Sequence, residues 1–257
     1  MVILNHRYFI KLSYDGTNYH GWQKQPGDVT VQETLEEALN TILREDVNLT
    51  GAGRTDTGVH AREYFAHFDT KLSPEKIAKK NLVFKLNSIL PKDIAIHEIF
   101  SVKNDAHARF DAISRTYHYQ ISTKKDPFLQ GRAWINNRPL DIEKMQAATK
   151  LLFKHTDFTS FSKSNTQTKT NNCKIISAEW IKDEHLLIFK ITADRFLRNM
   201  VRAIVGTLVD VGLGKISISD FDHIIKAKSR TKAGYSVPAC GLFLEKIEYP
   251  ADYINKE

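Results

Sequence analysis

The residues from Gly51 to Ala61, GAGRTDTGVHA, bring two charged side chains into a stretch of small ones. Three glycines fall within eight residues, which permits positive φ angles and a close approach of the backbone to a ligand. The one carboxylate, Asp56, follows Arg54 by two positions. The segment could therefore carry carboxylate chemistry, or it could be a tight connection in which Asp56 forms a turn.

Three kinds of functional site can be compared with this segment: an aspartic protease site, a nucleotide-binding site and a metal site. Asp56-Thr57-Gly58 is the tripeptide of aspartic proteases, whose reaction needs two carboxylates sharing a proton. The chain has one such tripeptide, so a partner would have to come from a dimer, and Gly53-Arg54-Thr55 replaces the apolar residues usual before it. The Gly-Ala-Gly piece is too short for a dinucleotide site, and no G-x-x-x-x-G-K-[ST] occurs. His60 and His67 have no further metal ligands at a recognised spacing, which favours structural roles.

Hydrophobic spacing predicts the elements that position the segment. Alternating apolar and polar residues indicate strands, and apolar residues three or four apart indicate helices. Thr30-Val31-Gln32-Glu33 has the form of a capping box, and Pro74 suits the first position of a helix. The first half is predicted to contain strand 7–14, a helix from 31, strand 47–50, strand 63–69, helix 74–88 and strand 94–102.

The second half follows the same order more loosely. Its predicted elements are strands 116–122 and 133–135, a helix after Asp141, strands 175–181 and 186–192, helices 196–211 and 217–228, and strand 242–247. The order β-α-β-β-α-β is that of a ferredoxin-like unit. We therefore predict an α+β fold of two ferredoxin-like halves, residues 1–104 and 105–257, whose antiparallel sheets join around a central cleft.

Length and composition exclude several classes of protein. At 257 residues the chain suits one large or two small domains, and 42% apolar with 26% charged residues is ordinary globular usage. No apolar run approaches the roughly 20 residues that span a bilayer, and no secretory signal is visible, so neither a membrane partner nor export is expected. Cys173 and Cys240 cannot build a disulfide framework or a four-thiolate zinc site. We expect a cytoplasmic protein.

The net charge of +7 is unevenly distributed. Residues 109–174 contain 12 basic and 5 acidic side chains, whereas the two charges balance in the rest of the chain. This stretch could be an ordinary solvated surface, or it could bind a polyanion, since neutralised phosphates release condensed counterions.

Six ordered blocks of the chain resemble one family. The residues GRTDTGVHA, at 53–61, are similar to the active-site motif of tRNA pseudouridine synthases of the TruA type. The other blocks that resemble this family are LSYDGTNYHGWQ at 12–23 with TVQE at 30–33, HARF and RTYHY at 107–119, DFTSF at 157–161, FLRNMVRAIVGTL at 196–208, and GLFL with YP at 241–250.

This resemblance implies an isomerase that converts uridine into pseudouridine and needs no cofactor or metal. It makes Asp56 the catalytic carboxylate, acting either as a nucleophile towards the sugar or as a base that opens a glycal route. Arg202 would be its cationic partner, although by itself it is typical of a helix surface. Tyr117 would stack on uracil or relay a proton, although by itself it is typical of a strand facing the core. Arg54 would hold a phosphate or the space left by an extruded base.

The resemblance also implies the partners. The family acts as a homodimer on the anticodon stem-loop of tRNA, at uridines 38, 39 and 40, where shape and backbone guide recognition. One region departs from the family pattern. The loop 162–174 contains Lys163, Lys169 and Lys174 in place of arginines. A lysine ammonium contacts phosphate as a point charge, whereas an arginine guanidinium can donate two parallel hydrogen bonds to it.

Overall fold

The computed structural model describes residues 5–163 and 169–254, and it has a mixed α+β architecture. The chain divides into two compact units. Unit 1 is built from residues 1–113 and 246–257, and unit 2 from residues 114–245. The predicted halves, 1–104 and 105–257, are defined by the order of their predicted strands and helices, which is similar in both, and they stay a prediction.

The described residues form nine strands and six α-helices. The strands are β1 His6–Tyr14, β2 Thr50–Gly51, β3 His60–Thr70, β4 Ile94–Val102, β5 Ser114–Ser122, β6 Trp134–Ile135, β7 Ile175–Asp183, β8 Leu186–Ala193 and β9 Leu242–Glu248. The helices are α1 Val31–Leu43, α2 Pro74–Lys79, α3 Leu82–Ile89, α4 Ile142–Thr149, α5 Met200–Gly212 and α6 Ile218–Lys226. None of these helices is long and apolar enough to cross a membrane.

In unit 1, β1 is the central strand, with β4 and β3 antiparallel on its two sides and β2 antiparallel to β3. The predicted strand β1 is confirmed, but burial does not alternate strictly along it, because Phe9 is as buried as Tyr8, Ile10 and Leu12 on the other face. Helix α1 begins at Val31 after the N-cap Thr30, whose side chain accepts a hydrogen bond from the Glu33 N–H. This is one half of the predicted capping box, since the Glu33 carboxylate lies 3.2 Å from Nζ of Lys24. Helix α3 packs against both α1 and β4.

In unit 2, β8 is paired antiparallel with β5 and β7, and β6 runs parallel to the end of β5. Helix α5 contacts β5, α4 and α6, and nearly all of its side chains are buried. This agrees with the mostly apolar sequence that predicts a helix here. The two half-buried positions of α5 are its charged residues, Arg202 and Asp210.

Three predicted elements differ from the structure. The predicted helix 74–88 is two helices, because Asn81 adopts a left-handed conformation with φ +49° and ends the regular spacing. The predicted strand 47–50 is reduced to Thr50–Gly51, although Val47 and Leu49 are buried. The predicted helix 196–211 begins only at Met200, because Asn199 has φ +68°.

Candidate active site

Asp56 lies in an irregular loop of unit 1 between the end of β2 and the start of β3. Asp56 is half-buried, and Arg54 is exposed. The Val59 N–H donates to the Asp56 carbonyl over 3.1 Å, and Gly58 within this turn has φ +76°. Asp56 is therefore the first residue of a tight turn in which position 58 requires glycine. A role of Asp56 in forming this turn is compatible with a role of its carboxylate in chemistry.

Hydrogen bonds from an earlier segment fix the loop on both sides of Asp56. The Thr55 carbonyl accepts from the Trp22 N–H at 3.4 Å, and the Gly58 N–H donates to the Tyr19 carbonyl at 3.3 Å. The hydroxyl groups of Tyr14 and Thr55 are 2.9 Å apart. The position of Asp56 is therefore set through its neighbours by residues 14–22.

Gly21 permits this close approach. It has φ +88°, and a Cβ atom at this position would lie 2.3 Å from the Thr55 carbonyl oxygen. No side chain fits that distance, so only glycine lets the two segments meet. The family-like block at 12–23 contains Gly21, but the sequence alone does not indicate what Gly21 touches.

Aromatic side chains support the first part of the loop. The Tyr64 hydroxyl donates to the Gly53 carbonyl at 2.5 Å, and the Gly53 N–H donates back to the Tyr64 oxygen at 3.3 Å. The Trp22 ring lies against Tyr64 with 4.2 Å between centroids. Trp22 and Tyr64 are buried, so this part of the loop rests on a rigid surface.

The two histidines near the loop are buried and hydrogen-bonded inside unit 1. The Nδ1 atom of His60 lies 3.1 Å from Gly16 N and 3.1 Å from Asp15 Oδ1. The Nδ1 atom of His67 accepts from the Ala108 N–H at 3.1 Å. Burial, assisted by nearby Arg7 and His107, lowers the pKa of His67 to about 4. Over residues 5–163 and 169–254, no three His, Cys, Asp or Glu side chains gather into a metal site.

Tyr117 lies on β5 of unit 2, opposite Ile191 of β8. It is half-buried, and its ring meets Phe196 edge to face, with 5.1 Å between centroids. Tyr119, two residues on, is fully buried and donates to the Pro238 carbonyl at 2.8 Å. The two tyrosines of the predicted strand thus differ: Tyr119 belongs to the core, whereas part of the Tyr117 side chain is exposed to solvent.

Arg202 lies in the first turn of α5 in the same unit. Its Nε donates to the Val237 carbonyl at 2.7 Å, and the Val237 N–H donates to the Arg202 carbonyl at 3.3 Å. The guanidinium is therefore oriented by a backbone segment 35 residues away. Phe196 precedes the helix, and this is the position from which it packs on Tyr117.

The structure thus places the four predicted residues in two pairs. Asp56 and Arg54 share one loop of unit 1, and Tyr117 and Arg202 lie on the contacting elements β5 and α5 of unit 2. That the two pairs form one site remains a prediction. In the predicted basic loop, Lys163, Lys169 and Lys174 are exposed, whereas residues 164–168 lie outside the described residues.

Comparison with known proteins gives a consistent result. A family model described as tRNA pseudouridine synthase matches residues 11–111 and 147–250. A tRNA pseudouridine synthase A of Porphyromonas gingivalis is 54% identical over 249 residues, covering 96% of this chain and 98% of the relative. A protein of the same name from Bacteroides fragilis is 54% identical over 247 residues, covering 96% and 97%. One from Clostridium acetobutylicum is 42% identical over 244 residues, covering 93% and 98%.

Proposed function

We propose, for a chain that belongs to the tRNA pseudouridine synthase family, that Asp56 isomerises a flipped-out uridine at positions 38, 39 and 40 of the anticodon stem-loop. The family membership itself establishes an isomerase that converts uridine into pseudouridine in tRNA. The proposal adds the residue that does the chemistry and the place in tRNA where it acts.

The reaction requires no group from outside the substrate. The bond from ribose C1′ to uracil N1 breaks, the base turns, and a bond forms from C1′ to C5. The proton of C5 leaves and N1 gains one, so atoms and electrons balance without a redox step. Asp56 acts on the sugar, either by attacking C1′ or by removing a sugar proton, and both routes use its ionised form.

One observation carries the proposal: the half-buried Asp56 is fixed through both flanking stretches of its loop, at Thr55 and at Gly58. A catalytic group must be held close to its productive geometry, and a fixed carboxylate loses little freedom when the substrate binds. A carboxylate that merely formed a turn would need no such attachment on both sides.

The other predicted residues complete the proposed site. Tyr117 would stack on the uracil or relay the proton of C5, and its packing on Phe196 holds the phenol ring for either role. Arg202 would stabilise the ionised Asp56 in a site that excludes water. Arg54 is exposed, which suits contact with a phosphate or with the space left by the extruded base.

The finer architecture is part of the same proposal. We propose that the halves 1–104 and 105–257 are ferredoxin-like and frame a central cleft between Asp56 and Arg202. The element order of β1 to β4, with β1 between β3 and β4, supports this for the first half. We also propose a cytoplasmic homodimer that uses no cofactor.

The decisive experiment measures tritium release from carbon-5-labelled uridine in undermodified tRNA. Wild type should release tritium from positions 38–40, and Asp56→Asn should release none above background while retaining its affinity for tRNA. Asp46→Asn is a matched control, since Asp46 is an exposed aspartate of the same unit, and it should behave as wild type.

Equal release by wild type and Asp56→Asn would overturn the assignment of Asp56. Release confined to other uridines of the tRNA, read by mapping pseudouridine along the chain, would overturn the assignment of positions 38–40.

A further inference from the structure

The connection between β5 and β6 carries an aromatic side chain that the proposed chemistry does not use. Phe128 is 85% exposed, more than any other large apolar side chain among the residues described. Lys124, Lys125 and Arg132 each lie within four positions of Phe128 in the sequence, and all three are exposed. We call these four residues the Phe128 patch.

The backbone under the patch is well fixed. The Asp126 carboxylate accepts from the Phe128 N–H at 2.8 Å and lies 3.1 Å from Nε2 of His185. The Leu129 N–H donates to the Asp126 carbonyl at 3.2 Å, and the Arg132 N–H donates to the Leu129 carbonyl at 2.9 Å. The ring is therefore presented on a short 3₁₀ turn, Pro127–Leu129, and binding would not have to order the backbone.

The connection that carries Phe128 has mainly positive charges along its own sequence. The hydrogen bonds to Phe128 and His185 hold the pKa of Asp126 below its usual range, so this carboxylate is committed to the turn. Residues 124–132 carry three cations and this one carboxylate, within the stretch that carries the excess charge of the whole chain. The turn between β7 and β8, which meets this connection at His185, bears the exposed acids Asp183 and Glu184.

We propose that the Phe128 patch is a second surface that binds tRNA, with Phe128 stacking on an unpaired base and Lys124 and Lys125 contacting phosphates. Exposed aromatic rings beside cations are the usual means of binding single-stranded nucleic acid, because every base has a face on which a ring stacks. The inference rests on the proposed function only in taking tRNA as the ligand.

The composition of the patch favours RNA over a protein partner. Lysine is depleted in protein interfaces, whereas two lysines directly precede the turn that carries Phe128. The patch also follows the strand that bears Tyr117. Ser122, the last residue of β5, is five residues beyond Tyr117, or about 17 Å along the strand. One stem-loop is long enough to reach both.

The test compares the affinity of undermodified tRNA for wild type, Phe128→Ala, Phe128→Trp and Lys124→Ala/Lys125→Ala at several salt concentrations. We expect Phe128→Ala to raise the Kd about five- to tenfold, with the salt dependence unchanged, and Phe128→Trp to restore affinity. The double lysine variant should weaken binding and reduce the slope of log K against log salt by about one to two, since each phosphate that is no longer neutralised accounts for about 0.7–0.9.

Phe84→Ala is the matched control, because Phe84 is a 66% exposed phenylalanine on α3 of the other unit. It should leave the Kd unchanged. Phe128→Ala should keep the same turnover at saturating tRNA and the same melting temperature as wild type, since the ring is exposed. Asp56→Asn should show the opposite pattern, an unchanged Kd with abolished turnover.

Two results would overturn the inference. An unchanged Kd in Phe128→Ala would remove Phe128 from the RNA surface, whatever the activity of Asp56→Asn. A change in sedimentation from dimer to monomer in Phe128→Ala, without a change in the Kd, would assign the patch to an interface between copies of the chain. Activity retained by Asp56→Asn would overturn the proposed function alone, since the Kd still reports on Phe128.

Discussion

The Asp56 loop and the start of α5 hold their charged side chains by different means. Asp56 lies in a loop, and backbone hydrogen bonds hold its neighbours Thr55 and Gly58 to Trp22 and Tyr19, more than 30 positions earlier. Arg202 is part of a helix, and its side chain itself makes the hydrogen bond that orients it, from Nε to the Val237 carbonyl. The carboxylate can therefore be displaced by changes that never touch it, whereas the guanidinium depends chiefly on its own side chain.

The strongest test of this difference is Gly21→Ala. The added Cβ would meet the Thr55 carbonyl at 2.3 Å and force the two segments apart. We expect turnover to fall at least about 100-fold, in line with the cost of misplacing a catalytic group by about 1 Å. Tritium release measured well below the melting temperature separates this effect from unfolding.

Gly27→Ala is the control for Gly21→Ala. Gly27 has a similar φ of +83°, but nothing lies within 4 Å of where its Cβ would be. It should lower stability by about 1–2 kcal/mol because of the left-handed backbone, with turnover close to wild type. Equal falls in turnover in the two variants would show that the close approach at Gly21 does not position Asp56.

The second test removes the guanidinium. Arg202→Ala should lower turnover about 100-fold, since a cation aimed at a reacting centre contributes on that scale, and should change the Kd for tRNA less than about threefold. Arg202→Lys keeps the charge but removes the Nε bond to Val237, so it should recover only part of the activity. A defect in affinity alone, in single-turnover assays, would contradict a role beside Asp56.

The third test uses acid. Since burial lowers the pKa of His67 to about 4, the folded protein keeps this imidazole neutral while the unfolded chain binds a proton below about pH 6.5. The stability from a neutral His67 is fully present above about pH 6.5 and declines as the pH falls towards 4. We expect the free energy of unfolding to drop by on the order of 2 kcal/mol over this window.

Urea unfolding of wild type and His67→Gln at about pH 7 and about pH 4.5 measures this effect. The variant should show a smaller difference between the two pH values than wild type. The same dependence on pH in both proteins would mean that other groups control the acid sensitivity. The loss of stability should appear first in probes of unit 1, to which His67 belongs.

The smallest effect is expected for Tyr14→Phe, which removes the hydroxyl that bonds to Thr55. One hydrogen bond is worth about 0.5–1.5 kcal/mol, so turnover should fall about three- to tenfold. Tyr8→Phe is the control, because the Tyr8 hydroxyl donates to the Leu72 carbonyl at 2.9 Å, on the same strand but away from the loop. Tyr8→Phe should lower the free energy of unfolding by a similar amount and leave turnover unchanged. Reduced turnover in Tyr8→Phe would mean that any loss of stability in unit 1 lowers activity.

The same contrast explains how much the sequence could predict. Strand β1 follows from local alternation in the sequence, and β4 has the predicted bounds. The break at Asn81 and the late start of α5 after Asn199 depend on single residues in left-handed conformations, which apolar spacing does not report. The first error joined α2 and α3 into one helix across Asn81, and the second extended α5 backwards past Asn199.

The candidate site divides in the same way. The composition of residues 51–61 makes the Asp56 loop a candidate site, and the family-like blocks make Tyr117 and Arg202 candidates. The supports of these residues could not be read from the sequence, because Gly21 against Thr55, Phe196 against Tyr117 and Val237 against Arg202 are tertiary neighbours. Phe128, the residue of our further proposal, cannot be singled out in the sequence, because its exposure rather than its type sets it apart.

The last strand has a consequence for the order in which the protein can be completed during synthesis. Residues 246–248 of β9 and the turn that follows belong to unit 1, where Ile247 N–H donates to Glu63 and the Tyr249 hydroxyl donates to the Ala108 carbonyl. Unit 2 is continuous in sequence, whereas unit 1 joins two stretches that lie on either side of it. The contacts that Ile247 and Tyr249 make with the first stretch can therefore form only after all of unit 2 has been synthesised, and until then the unit that carries the Asp56 loop lacks them.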